Sequence, residues 1–488
     1  MNPSTGIRMI AKIKNIFYKN KYNKMMELPQ SPRQDIPQLS GPEPPPIESV
    51  RIQYTIRPVE YYIYESDTGA LRLRFIEPRE PPQEVIEEIL MGTREPSSPV
   101  EAYYRDKSLS GYGKLFPLII DDNIEEIAVD GPGSNVSVIN KLIPGFWIDV
   151  DLSLGEPELD SIAIQLARKA GRLLSLATPY AEGITTEGHR VAVTLGREIT
   201  RHGTSIVLRK YPEKPITITD LIAQRVLTPL ATAYLWILIE AHSFLMIIGG
   251  MGAGKTTLLQ SLASLIPPYH RIVTIEDTPE IRLYHKHWDS LVTRPRIPGE
   301  EIEDVGLEDL LRFALRRRAD HVIVGEVRGR EARLLAQAAA SGHGSLTTFH
   351  ADDPESAILR LRLEPINLPP LFLEVINAFI LVRRIPVVGG GFLRRVVRIT
   401  EIHDDELFDV FKWDPVSDKL QPNDPEEVAA KSRVLREAWT RLGMPGGDLA
   451  SELAERARFL EERLNLPKET FISSLFKFYA TRYGVLRE

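Results

Sequence analysis

One segment of the chain allows the rest to be interpreted: Gly249-Gly250-Met251-Gly252-Ala253-Gly254-Lys255-Thr256-Thr257. It fits the pattern G-x-x-x-x-G-K-[ST] and follows the apolar run 243–248. An apolar run, a glycine loop and a helix-forming stretch predict strand, loop and helix, the context that a P-loop requires. There, backbone N–H groups and the helix N-terminus bind phosphate, Lys255 reaches the outer phosphates, and Thr256 offers a hydroxyl to Mg²⁺. The segment therefore predicts a site for ATP and Mg²⁺, with a plain glycine-rich turn as the alternative.

The sequence around this segment predicts a mainly parallel sheet. Short apolar runs at 272–275, 321–324 and 345–348 alternate with helical patterns, as in strand–helix–strand units. Thr217 and Asp220 match a capping box that would open a long helix leading to the P-loop strand. We expect an α/β P-loop domain over 211–400. The other expected parts are a tail and tether over 1–46, an N-terminal α+β region over 47–210 and a mainly helical C-terminal region over 401–488.

Composition limits the classes of partner. The 488 residues carry 60 Lys and Arg against 67 Asp and Glu, a formal charge of −7, so no overall field attracts nucleic acid. We expect no sequence-specific nucleic-acid partner. The absence of cysteine excludes disulfides and thiolate zinc sites. The apolar run 226–239 is shorter than the ~18 residues of a membrane helix, so we expect a soluble, cytoplasmic protein.

The N-terminal tail has a pattern of its own. Residues 1–24 carry six basic residues and no acid, with apolar residues interleaved. This pattern fits a helix on an anionic membrane surface, and it fits a disordered tail equally well. Seven prolines between Pro29 and Pro46 then predict a stiff, extended tether.

Acids and histidines stand at the ends of the predicted strands. Glu276 follows the run 272–275 and is the candidate for positioning water, with Asp277 and Glu280 as alternatives. Glu326 follows the run 321–324 and can reach Mg²⁺ through a water. The strand 345–348 is flanked by two histidines, and either one can hydrogen-bond a phosphate or a carboxylate. The members of this last pair are His343 and His350.

The order of these blocks resembles the type II and type IV secretion ATPase superfamily. Its Walker A loop, Asp box, Walker B strand and His box match 249–257, 275–280, 322–328 and 342–350. The resemblance implies a RecA-like ATPase domain in which Glu276 positions water, and Glu326 and His343 complete the site. It also implies a homohexamer at the inner face of the cell membrane. The motor would act there on a polytopic platform protein of a pilus-like filament or secretion system, and the tail over 1–24 would be placed to touch the membrane.

The resemblance continues on both sides of the P-loop domain. Gly188-His189-Arg190-Val191 and the stretch 206–210 look like the nucleotide-lid domain of the family. This implies that Arg190 and Arg209 reach the phosphates as arginine fingers or sensors, whereas the alternative is surface charge. Residues 111–115 and the helical end look most like the archaeal branch. Two departures stand out: a four-cysteine zinc module is impossible, and Thr278 replaces a common proline.

Two rival functions share the nucleotide site. A RecA-like motor that translocates DNA would need a basic channel, for which Arg316-Arg317-Arg318 is the compact candidate. A nucleotide-gated scaffold would bind ATP with little turnover. We expect the secretion or filament motor.

Overall fold

The computed structural model describes residues 43–211, 215–294, 304–387, 392–404, 406–444 and 448–483. The predicted tail over 1–24 lies outside the described residues, as does nearly all of the tether. The chain forms two compact units, one ending at Pro117 and the other starting at Leu118. This boundary falls inside the region 47–210 that the sequence predicts as the N-terminal α+β part.

The first unit contains an antiparallel meander and two helices. Side chains of the first strand alternate between half-buried and exposed, as expected when one face of a sheet is covered. The strands are β1 (Val50–Ile56), β2 (Val59–Glu65) and β3 (Leu71–Ile76), and the helices are α1 (Gln83–Leu90) and α2 (Pro99–Ser110). A short helix, α3 (Phe116–Ile120), spans the boundary between the units.

The second unit opens with an antiparallel sheet in the order β6-β5-β4-β9-β8-β7. One helix, α4 (Glu156–Lys169), buries a single apolar face, as expected for an amphipathic helix that covers a sheet. The strands are β4 (Ile124–Val129), β5 (Asn135–Asn140), β6 (Ile143–Ser153), β7 (Tyr180–Ile184), β8 (Arg190–Thr194) and β9 (Ile206–Arg209).

The P-loop sheet follows, in the order β12-β11-β13-β14-β10-β15-β16-β17-β18. The pairs from β12 to β15 are parallel, and those from β15 to β18 are antiparallel. The strands are β10 (Phe244–Ile248), β11 (Ile272–Glu276), β12 (Trp288–Val292), β13 (His321–Val324), β14 (Gly344–Phe349), β15 (Ile376–Pro386), β16 (Phe392–His403), β17 (Glu406–Asp414) and β18 (Lys419–Gln421). All residues of β10, β11, β13 and β14 are buried, which explains their continuous apolar pattern.

Helices pack against this sheet and form its two cores. They are α5 (Ile218–Ala223), α6 (Pro229–Glu240), α7 (Lys255–Ala263), α8 (Leu307–Ala314), α9 (Glu331–Ala340), α10 (Pro354–Arg362) and α11 (Pro370–Leu373), then α12 (Pro425–Lys431), α13 (Arg433–Arg441), α14 (Leu449–Glu461) and α15 (Lys468–Arg482). This architecture confirms the predicted α/β fold with an N-terminal α+β part and C-terminal helices.

The C-terminal helices complete one of the cores. Helix α6 is buried on all sides, and Trp236 donates a hydrogen bond from Nε1 to the Tyr479 hydroxyl at 2.5 Å. Arg456 is fully buried and lies 2.6 Å from both Glu240 and Glu452. Of the aromatic residues near the C-terminus, Phe471 and Tyr479 are buried, and Phe476 and Phe478 pack against this core, whereas Tyr483 is 45% exposed. The prediction that these aromatic residues belong to the core is therefore confirmed for all but Tyr483. Among the described residues, no helix combines the length and apolar character needed to cross a bilayer.

Two local predictions differ from the structure. The capping box at Thr217 is present, but the helix it opens ends at Ala223. A second helix then begins at Pro229 with Thr228 as its N-cap, because proline is compatible with the first turn of a helix but not with its interior. The predicted domain boundary at residue 400 falls inside β16, so the P-loop sheet extends to Gln421 before the helical region starts.

Candidate nucleotide site

The P-loop lies at the carboxyl end of β10, where the chain passes close to β15. A Cβ atom on Gly249 would lie 2.3 Å from the Val382 carbonyl oxygen, so only glycine fits there. Gly254 has φ of 95°, a left-handed conformation that glycine adopts without strain, and it serves as the N-cap of α7. The helix therefore begins at Lys255, with its first N–H groups at the loop. This geometry fits phosphate binding at a helix N-terminus.

Lys255 is the first residue of α7 and follows the glycine loop directly. Its side chain is 8% exposed, and Nζ donates to the Gly250 carbonyl oxygen at 3.1 Å. Nζ also lies 3.3 Å from the ring nitrogens of His350. Burial lowers the pKa of the Lys255 ammonium, and the charge of Glu326 partly opposes this shift. A phosphate anion would supply the strong counter-charge that a buried ammonium favours.

His350 connects the P-loop to Glu326. It follows β14 directly, and its Nε2 lies 3.1 Å from Glu326 Oε1. Burial lowers the pKa of the His350 imidazole, and the positive charge of Lys255 acts in the same direction. The other carboxylate oxygen, Glu326 Oε2, accepts a hydrogen bond from Arg328 Nη2 at 2.7 Å. The Walker A, Walker B and His-box blocks therefore meet at one place.

Glu276 is buried at the end of β11, with 3% of its surface exposed. Its Oε1 accepts hydrogen bonds from the backbone N–H groups of Glu280 and Ile281, both at 2.9 Å. Oε2 is buried without a hydrogen-bond partner among the described residues. Burial raises the pKa of this carboxyl group to about 7, against the effect of the two backbone hydrogen bonds. A fixed carboxyl group with one unused oxygen is suited to orienting water.

The two alternatives to Glu276 have other environments. Asp277 is exposed, and Thr293 Oγ1 lies 3.3 Å from its Oδ1. Glu280 lies 3.4 Å from Arg209 Nη1. Glu276 also packs against the loop that carries Glu326, since a Cβ on Gly325 would lie 3.1 Å from Glu276 Cγ. Burial and proximity to Glu326 thus favour Glu276 over its neighbours.

Arg190 and Arg209 are cross-strand neighbours in β8 and β9. Arg209 lies 3.8 Å from Glu126 and 3.4 Å from Glu280, so it links the N-terminal sheet to the loop after Glu276. Arg190 is exposed at the start of β8. Within one chain, Arg209 therefore reaches the Asp-box loop rather than the P-loop.

The structure does not bring His343 into this group. It precedes β14, whereas His350 follows it, and a strand of this length separates the two by roughly 20 Å. His343 Nδ1 lies 3.0 Å from the Ala338 carbonyl oxygen instead. Because β14 runs parallel to β10, its amino end is at the edge of the sheet opposite the P-loop. Of the two histidines, His350 is the one that lies beside the P-loop lysine.

Sequence reasoning missed two arginines beside the loop. A Cβ on Gly252 would lie 3.3 Å from Arg384 Nη1, and one on Gly254 would lie 3.1 Å from Arg394 Cδ. Arg384 and Arg394 face each other across β15 and β16. Strand-like runs on both sides of Gly389-Gly390-Gly391 signal a hairpin that would have placed them.

The residues present fit a nucleotide with Mg²⁺. The buried ammonium of Lys255, the adjacent arginines and the helix N-terminus suit phosphate groups. The Glu326 carboxylate and the Thr256 hydroxyl are oxygen donors of the kind that Mg²⁺ prefers. A cavity of about 660 Å³ opens beside them, with Met251, Glu326 and His350 in its lining.

The fold and this site define a P-loop protein with a mainly parallel sheet. The family described as Type II/IV secretion system protein matches residues 185–385. The chain is 44% identical over 249 residues to an uncharacterised protein of Methanocaldococcus jannaschii, covering 50% of this chain and 89% of that protein. It is 33% identical over 267 residues to a putative conjugal transfer protein of Mycobacterium tuberculosis, covering 52% of this chain and 72% of that protein.

Among solved structures, the chain is similar to the VirB11 ATPase from the Brucella suis type IV secretion system. The sequence identity is 25% and the TM-score 0.30, over 62% of this chain and 96% of that one. The family is assigned from the sequence matches and not from the structural similarity. The chain belongs to the type II/IV secretion system protein family.

Proposed function

We propose that this chain is an ATP-hydrolysing, Mg²⁺-dependent motor that works as a homohexamer. The observation that carries the proposal is the convergence of Lys255, His350 and Glu326 beside a buried, backbone-anchored Glu276. A site that only bound nucleotide would not need a carboxyl group with an unused oxygen fixed in this position.

We assign each residue a role that its environment supports. Lys255 and Thr256 hold the phosphates and the metal, and bound Mg²⁺ would supply charge neutralisation as the phosphoryl group transfers. Glu276 Oε2 orients the attacking water and accepts its proton while Oε1 stays fixed by two backbone N–H groups. His350 remains neutral and lies between Glu326 and Lys255, so that it holds both side chains in position.

Arg209 provides the mechanical connection. Its contacts with Glu126 and Glu280 join the N-terminal sheet to the loop that fixes Glu276. A change of nucleotide state at this loop can therefore move one domain against the other, which is the output expected of a motor. In the hexamer, Arg190 and Arg209 would also approach a neighbouring nucleotide.

The motor would act at the cytoplasmic face of the membrane. Its partner would be a polytopic platform protein of a pilus-like filament or secretion system, with the tail over 1–24 close to the lipid surface. Membership of the type II/IV secretion family supports this assignment.

The first test is hydrolysis by the purified full-length chain with Mg²⁺ and ATP. Lys255→Ala should abolish nucleotide binding, whereas Glu276→Gln should keep binding and lose turnover. Lys286→Ala, which removes an exposed lysine outside the site, is the matched control and should hydrolyse ATP normally. Turnover that survives Glu276→Gln would contradict the assigned water-positioning role.

The second test is a count of surface filaments, by negative-stain microscopy, on host cells that carry either variant at the native locus. Loss of one filament class with both variants makes the chain its assembly motor. Filaments that survive Glu276→Gln but not Lys255→Ala favour a nucleotide-gated scaffold, and filaments that survive both exclude a role in filament assembly.

The name of the Mycobacterium tuberculosis relative, a putative conjugal transfer protein, favours one second candidate: a motor for DNA transfer. The basic run 316–318 gives this candidate little support, because Arg317 is paired with Asp289 at 2.5 Å. The rate of hydrolysis would be measured without DNA, with duplex DNA and with single-stranded DNA. Stimulation by either form would favour the DNA-transfer motor. Unchanged rates would exclude it.

A further inference from the structure

Three histidines meet at the edge of the P-loop sheet opposite the nucleotide site. His242 ends the turn after α6 two residues before β10, His270 lies two residues before β11, and His321 is the first residue of β13. Because these strands are parallel, their amino ends share one edge. The same topology that gathers the nucleotide residues at the carboxyl ends therefore gathers three imidazoles at the other.

The three rings are close enough to share one ion. One ring nitrogen of each lies within 4.8 Å of one ring nitrogen of each of the others. His270 Nδ1 and His321 Nε2 are 3.1 Å apart. Two nitrogens bound to one tetrahedral Zn²⁺ at 2.0–2.1 Å would be about 3.3 Å apart. The pair thus already has nearly the spacing of two zinc ligands.

The surroundings of His242 orient it for metal binding. Its Nδ1 lies 3.1 Å from the Gly342 carbonyl oxygen, which can accept the Nδ1–H and leave the lone pair on Nε2. Ligating histidines usually make such a bond with their second nitrogen. His242 also has φ of 60°, a left-handed conformation that is uncommon for residues other than glycine.

His321 is the deepest of the three ligands. It is fully buried, and its Nδ1 has no hydrogen-bond partner in the part of the chain that the structure describes. A Cβ on Gly344 would lie 2.2 Å from this atom, so the ring occupies space that any other residue at 344 would fill. A hydrogen bond between two imidazoles accounts for the contact of His270 with His321, but not for the ring nitrogen of His242 that lies within 4.8 Å of both.

We propose that His242, His270 and His321 bind one Zn²⁺ ion, with water or another small ligand in the fourth position. Neutral imidazole nitrogens are preferred ligands of Zn²⁺, and three of them leave one coordination site open. The ion joins the turns that precede β10 and β11 to the first residue of β13. It cross-links three segments of the chain at the amino edge of the sheet, separate from the nucleotide chemistry.

The test uses the full-length chain, stripped with chelator and then dialysed against Zn²⁺ alone. Elemental analysis should find one zinc per wild-type chain, and Co²⁺ in its place should give the visible absorption of a tetrahedral nitrogen site. His242→Asn, which tolerates the left-handed backbone, and His270→Gln should each weaken zinc binding at least ~10-fold, as losses of even outer-shell partners do. Both variants avoid the fully buried His321.

Two control variants locate the ion. His287→Ala removes an exposed imidazole and should keep the full zinc content. His350→Ala removes the histidine beside Glu326, so zinc that disappears with this variant belongs to the nucleotide site and overturns the proposal. Wild-type protein without stoichiometric zinc, or zinc unaffected by both cluster variants, overturns it as well. Zinc should also raise the melting temperature of the wild-type chain but not that of His242→Asn.

Discussion

The carboxyl group of Glu276 is buried, and its ionisation costs free energy in the nucleotide-free protein. Burial raises its pKa from 4.5 to about 7 although two backbone N–H groups favour the carboxylate. Because the folded pKa is above the unfolded one, the folded state holds the proton more tightly. The stabilisation that this raised pKa of Glu276 provides is therefore complete below pH 4.5 and is lost as the pH rises through about 7.

Glu276→Gln should remove this pH dependence in the nucleotide-free protein. We expect the variant to be more stable than wild type at pH 8.5, by up to about 3 kcal/mol, because a neutral amide avoids burying a charge. At pH 4.5 the two should be nearly equal. Urea unfolding followed by circular dichroism at both pH values measures the difference.

The control for this comparison is Asp277→Asn, which changes the adjacent, exposed acid. Its stability should follow that of wild type at both pH values. A difference between Glu276→Gln and wild type that is equally large at pH 4.5 and 8.5 would show that the carboxyl group does not titrate as proposed.

At the scale of elements, the β15–β16 hairpin contributes charge to the P-loop. Arg384 and Arg394 lie beside Gly252 and Gly254, so the hairpin places two guanidinium groups next to the phosphate cradle. Arg384 also stacks on Phe392, with 3.7 Å from its guanidinium carbon to the ring centroid, which holds this side chain in place. Arg394 lacks such a contact among the described residues and is the freer of the two.

Arg394→Ala should weaken ATP binding ~10–100-fold, the value of a hydrogen bond to a charged group. Arg383→Ala is the matched control. Arg383 is next to Arg384 in β15, and its Nη2 donates to the Asp352 carbonyl oxygen at 3.0 Å instead of lying beside the P-loop. Calorimetric titration with ADP and with ATP measures both. Equal affinities for Arg394→Ala and Arg383→Ala would show that Arg394 does not contact the phosphates.

The strands of the nucleotide site could be predicted because each is a short, fully buried apolar run. Those predictions place the ends of β10, β11 and β13 within one or two residues. The hairpin arginines could not be predicted in the same way, since β15 and β16 are long and partly exposed. Which histidine lies near Glu326 depends on strand direction: the parallel pairing of β14 with β10 places His350 at the P-loop edge of the sheet and His343 at the opposite edge.

At the scale of the whole molecule, the sequence predicts the order of the regions better than their limits. The sequence predicts helical patterns from residue 401, whereas the first helix after the P-loop sheet begins at Pro425, because β17 and β18 extend the sheet first. Their alternating half-exposed residues give a weak signal, whereas the aromatic residues of α15 give a clear one. The three-histidine cluster joins residues up to 79 positions apart, and no local pattern indicates such a contact.

The proposed hexamer predicts that an arginine from one subunit completes the site of the next. Arg190 is exposed on β8, whereas Arg209 is engaged with Glu280 in its own chain, so Arg190 is the better candidate for action between subunits. Lys255→Ala chains keep Arg190 but cannot bind ATP, whereas Arg190→Ala chains bind ATP but lack the arginine. Each variant alone should therefore be nearly inactive.

Mixing the two variants should restore hydrolysis. In a ring with head-to-tail interfaces, an equimolar random mixture has a competent P-loop facing a competent arginine at about a quarter of its interfaces. We expect about a quarter of the wild-type rate per chain once subunits have exchanged, measured by phosphate release. Mixtures of Lys255→Ala with Glu276→Gln, whose defects both lie on the P-loop side, are the control and should stay inactive. A rate equal to the sum of the separate variants would place Arg190 outside the shared site.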